Sequence, residues 1–139
     1  MRILIAVICL SIGMITGALI SQHIALENDF SRTMQLRLLA GDSMTAGSPH
    51  KITLRLLDLY ENGIRRQTSS FASNKFDWQQ ELMDIELRRY VIFSADHNEN
   101  SAGQALVNAA KIRNKGQSAT DKEVDFCKQL AERQYGAKP

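Results

Sequence analysis

The chain is short of several things at once, and each shortage closes a class of function. Cysteine occurs only at Cys9 and Cys127. The first stands inside an apolar run and the second is alone in the polar part of the chain, so no internal disulfide framework can form. Excess charge of one sign is missing: 17 Lys and Arg oppose 15 Asp and Glu, leaving +2, too weak a field to argue for nucleic acid. Histidine is limited to His23, His50 and His97, whose spacing supplies no partners for a transition-metal centre. No internal repeat recurs at a fixed period. What remains is 139 residues, 44% hydrophobic and 23% charged. That is one domain of ordinary size, and it excludes a polytopic membrane protein, a disordered tail and a collagen-like chain.

The apolar residues are unevenly spread. From Ile3 to Ile20 there is no charged residue, and the only polar side chains are Cys9, Ser11 and Thr16. As a helix these residues rise roughly 27 Å, about the hydrocarbon thickness of a bilayer. Two readings fit, an uncleaved signal-anchor or a signal peptide that is removed to leave a secreted helical protein. Thr16-Gly17-Ala18 is the best cleavage site, with the mature chain beginning near Leu19, yet Leu19 and Ile20 continue the apolar run beyond it. The anchor is therefore the expectation, with a lipid bilayer contacted through residues 3–20. Arg2 keeps a short leading flank in the cytoplasm, which assigns the chain to a single-pass inner (plasma) membrane with its bulk periplasmic or extracellular. Gly13 and Gly17, extended by Cys9 and Ser21, place small residues on one stripe of this helix, which suits close packing in a homodimer.

Beyond the anchor, helical stripes alternate with breakers. Leu26, Phe30, Met34 and Leu38 mark one stripe from Ile24 to about Leu39, and Gly41 to Ser48 reads as a loop. Ser48-Pro49 opens a second helix that Asn62-Gly63 weakens near its end. Gln67 to Lys75 is a second, Ser-rich loop. Asp77 caps a third helix that carries Leu82, Met83, Ile85, Leu87, Tyr90 and Phe93, with Trp78 at its start. Tyr90 to Phe93 is open to a short strand as an alternative. A fourth helix from Ala102 to about Arg113 closes at Asn114-Lys115-Gly116. Thr120 and Glu123 form a capping box for a fifth, on which Val124, Cys127, Leu130 and Ala131 share a face. The pairs Arg65-Arg66 and Arg88-Arg89 have acidic neighbours and read as solvated helix faces.

Two segments look like chemistry. Gly41-Asp42-Ser43-Met44 resembles the nucleophile block of the GDSL (SGNH) hydrolases, a resemblance covering seven residues that implies Ser43 as nucleophile. The family's Asp-x-x-His is missing, and so are strands for its parallel sheet. Asp96 to Asn100 resembles the opening of an EF-hand calcium loop, but Ser101, Gly103 and Val107 stand where that loop needs a turn glycine, an apolar residue and a bidentate glutamate. A polar turn in which Asn100 or Ser101 caps the next helix is the reading kept.

The expected fold is all-α, an N-terminal transmembrane helix (1–22) followed by an extracytoplasmic antiparallel bundle of about four to five helices (23–139). The expected function is that of a non-enzymatic, membrane-tethered module binding an envelope protein in an accessory or sensor role. No catalytic residue, metal or cofactor is assigned. Phe30, Met34 and the region around Trp78 are the interaction candidates, with the core as their other reading.

Overall fold

The computed structural model describes the backbone of residues 2–68 and 77–136, and the side chains of these residues apart from 2–13, 15, 16 and 26. Five helices make up the described chain: α1 (Arg2–Thr45), α2 (His50–Thr68), α3 (Trp78–Ala95), α4 (Glu99–Arg113) and α5 (Asp121–Tyr135). No strand occurs among the described residues, and Tyr90 to Phe93 lies within α3. The all-α bundle is as expected.

The membrane assignment is corrected. Among the described residues no helix is long and apolar enough to cross a membrane. The described side chains of α1 begin at Met14, and the apolar Ala18, Leu19 and Ile20 are followed at once by Ser21, Gln22 and His23, then by Glu27 and Asp29. Residues 3–13, 15 and 16, on which most of that expectation rested, lie outside the described side chains. The single-pass inner-membrane localisation, with a cytoplasmic N-terminus and a periplasmic bulk, is withdrawn. The helix also runs without a break across the expected boundary at residues 22 and 23.

The second half of α1 and α2 form an antiparallel hairpin. Its turn is shorter than expected, because α1 continues through Gly41 to Thr45. Ala40 and Ser43 are buried on the packed side there, so tertiary contact overrides the turn preference of Gly-Asp-Ser. The helix stops at Gly47, whose φ of 66° is the left-handed conformation glycine adopts without strain. The Ser48 N–H donates to the Ser43 carbonyl at 3.1 Å and the Gly47 N–H to Met44 at 3.4 Å, the two bonds of a Schellman motif. Gly63 does not end α2. It marks a close crossing, where an added Cβ would stand 2.7 Å from Thr33 Oγ1.

Helix α3 is central, packing against α2, α4 and α5. One side contributes Trp78, Ile85 and Ile92 to a core shared with Ala40, Leu57, Tyr60 and Ile64. The other contributes Met83, Leu87 and Tyr90 to a core shared with Ala102, Ala105, Leu106, Ala109, Ala110, Cys127 and Ala131. Burial on both sides explains why α3 lacks a single apolar face. The alanines of α4 let it approach α3 closely. Asp77 caps α3 by accepting the Gln80 N–H at 3.1 Å, and Glu123 accepts the Thr120 N–H at 2.8 Å at the start of α5. His97 and Lys115 take left-handed φ values of 55° and 52° just beyond α3 and α4.

Candidate interaction surface

A polar seam decides which side of the α1–α2 hairpin is used inside the molecule. Glu81 of α3, nearly buried, accepts Arg37 Nε at 2.9 Å and the Tyr60 hydroxyl at 2.5 Å on the same oxygen, Oε2. Burial and then the bond to Glu81 hold the Tyr60 phenol far above its ordinary pKa. Beside it, Arg89 of α3 reaches Asp58 at 2.6 Å and Glu61 at 2.7 Å on α2 and also pairs with Glu86. Burial opposes the Arg89 charge, but Glu86, Glu61 and Asp58 outweigh it and hold the guanidinium above its ordinary pKa. Arg88 pairs with Asp84 at 2.9 Å, and its guanidinium lies 4.7 Å over the Tyr135 ring. Arg88 and Arg89 are only 16% and 15% exposed. They are interhelical connectors rather than a solvated face, which corrects the sequence reading.

The seam sorts the charges of α2. Its acids Asp58 and Glu61 turn toward α3, and Glu61 also holds Arg65 at 2.6 Å. The opposite side of the hairpin leaves Leu39, Ile52 and Leu59 exposed beside the half-buried Leu36 and Leu56. A crevice of about 110 Å³ between the two helices is lined by Leu36 and Leu59 with Asp29, Arg32, Thr33, Asn62, Gly63 and Arg66. Helical spacing continues the same stripe toward the turn, through Leu39 on α1 and through Leu56 and Ile52 on α2. Leu39, Ile52 and Leu59 are 53%, 54% and 44% exposed. Single exposed leucines mean little, whereas a contiguous stripe on two antiparallel helices is what a third helix packs into. Arg32, Lys51 and Arg55 are exposed at or near this stripe, and none has a carboxylate partner among the described residues.

The residues singled out from sequence are dispersed. Trp78 is 5% exposed, in the core at the start of α3 rather than in an exposed region. Phe30 sets its ring edge against it, centroids 5.9 Å apart, and Met34 is half-buried against the same core. The surroundings of Gly13 lie outside the described residues, and Gly17 is exposed with nothing within 4 Å of an added Cβ. Ser43 is buried and shares a hydrogen bond of 2.6 Å with Thr53 Oγ1. His50 Nδ1 lies 2.5 Å from Asp96 Oδ1. In the Asp96–Asn100 turn, Asn98 is the cap of α4 and accepts the Ser101 N–H at 3.2 Å, a role expected of Asn100 or Ser101. Among the described residues no group of three or more His, Cys, Asp or Glu could hold a metal ion.

Sequence reasoning overlooked Leu39, Ile52 and Leu59. Which side of α2 is buried depends on the long-range contacts that turn Tyr60 and Ile64 inward. The i, i+4, i+7 spacing of Ile52, Leu56 and Leu59 was the available signal. No protein-family model, curated protein or solved structure matches the chain.

Proposed function

We propose that the chain is a non-enzymatic helical module that binds another protein through the outer face of its α1–α2 hairpin. The observation that supports this most is the contiguous exposure of Leu39, Ile52 and Leu59 beside a crevice between two helices. Burying three such side chains under a partner is worth several kcal/mol at about 25 cal/mol per Å². The hydroxyl of Ser43 is engaged by Thr53 across the hairpin, which favours a structural role for that serine over a nucleophilic one.

The test separates association from folding. Leu39→Glu with Leu59→Glu changes exposed side chains only, so urea unfolding should shift by no more than about 0.5 kcal/mol per site. The full-length chain recovered from expressing cells should elute as a complex, and the double variant should elute at the size of the chain without its partner. An unchanged elution volume for the variant would contradict the proposal.

A further inference from the structure

We infer that the partner seated on the hairpin is an amphipathic helix with acidic flanks, a reading that rests on the interaction surface proposed above. The argument is one of charge segregation. The α2 acids Asp58 and Glu61 are drawn to Arg89 on the α3 side. That leaves Lys51 and Arg55 as exposed cations of α2 near the turn end of the apolar stripe, with Arg32 of α1 at the crevice end. Asp29 is the one carboxylate lining the crevice. Cations at or near the stripe of Leu36, Leu39, Ile52, Leu56 and Leu59 match a helix that presents leucine-like residues at i, i+3/i+4 and i+7 with Glu or Asp beside them. From Ile52 to Gly63 the stripe runs roughly 17 Å, about three turns of such a helix.

The shape selects among anionic partners. A crevice between two helices receives a third helix as ridge into groove. A phosphate backbone would leave the leucines uncovered, and a flat lipid surface would leave the crevice unfilled. A second copy of this chain would set Arg32 and Arg55 against the same cations about a twofold axis, which is repulsive.

The experiment presents the full-length chain to a displayed library of amphipathic 18-residue helices whose flanking positions are randomised among Glu, Gln and Lys. The inference expects enrichment of Glu at those positions. It also expects the selected peptides to bind at least about tenfold more weakly to Arg32→Glu/Arg55→Glu and to lose binding to Leu39→Glu/Leu59→Glu. Enrichment that depends on Leu39 and Leu59 but shows no acidic preference overturns this inference and leaves the interaction surface standing. No enrichment above the Leu39→Glu/Leu59→Glu control overturns both. Tighter binding to a DNA duplex or to anionic lipid vesicles, unaffected by the leucine substitutions, overturns the helix as occupant. A dimer in sedimentation that Leu39→Glu dissociates overturns it in favour of a second copy.

Discussion

Removing the Tyr60 hydroxyl tests whether the polar seam, rather than apolar contact alone, docks the hairpin on α3. Tyr60 is 2% exposed, and its hydroxyl donates at 2.5 Å to a Glu81 oxygen that also accepts from Arg37 at 2.9 Å. A hydrogen bond to a charged group contributes about 1.5–3 kcal/mol. In Tyr60→Phe the carboxylate keeps Arg37, so the loss belongs near the lower end, about 1.5 kcal/mol. Glu81→Gln weakens the bonds to both neighbours, but the Arg37 side chain is 44% exposed and water takes up part of the deficit. That substitution should cost about 1–2 kcal/mol. Because both changes act on one bond, the double variant should fall short of the sum by about 1 kcal/mol. Urea unfolding followed by circular dichroism supplies the four free energies, with equal slopes as the condition for comparing them. Strict additivity, or a Tyr60→Phe loss below about 0.5 kcal/mol, would refute a coupled seam.

Acid stability should depend on Glu61. Burial pushes its carboxyl up, but Arg65 and Arg89 outweigh burial and leave the folded value below the ordinary 4.5. The unfolded chain then takes up the proton first as the pH falls. The stabilisation is complete above the unfolded value and is lost as the pH drops through the folded one, so the urea midpoint should fall on acidification below about pH 4.5 and fall less steeply in Glu61→Gln. Cys127 is fully buried and burial raises its thiol pKa, so in a Cys9→Ser chain Ellman's reagent should label it at least about 100-fold more slowly in buffer than in urea; equal rates would mean the α3–α4–α5 core is open. His97 holds a left-handed φ while only its backbone closes the end of α3, so His97→Gly should raise stability by up to about 1 kcal/mol in the same titration, and a loss would show that the imidazole matters.

Helices whose ends carry local chemistry were readable from the sequence. Asp77, the Thr120–Glu123 pair and Asn114-Lys115-Gly116 act on neighbouring backbone, and they bound α3, α4 and α5 within a few residues of expectation. The face of Cys127 and Ala131 was equally legible, since one side of a single helix buries it. What escaped depends on long-range contact. The helical path of Gly41 to Thr45 is imposed by burial of Ala40 and Ser43 against α2 and α3, against local turn preference. Gly63 looked like a helix end because its close approach to Thr33, thirty positions earlier, leaves no local trace. Arg88 and Arg89 looked solvated because their α2 and α5 partners, among them Asp58, Glu61 and Tyr135, are distant in sequence. The candidate surface was hidden for the same reason: which leucines of α1 and α2 face outward is settled by Glu81 and Arg89 on α3.

The most direct measurement is site-specific photo-crosslinking of the full-length chain in cells, with benzoylphenylalanine in place of Leu39, of Leu59, or of the exposed Lys128 on α5. A protein partner on the outer face of the hairpin gives adducts of one size at Leu39 and Leu59 and none at Lys128. Adducts at Lys128 alone, or equal yields at all three positions, would contradict an interaction surface on the hairpin.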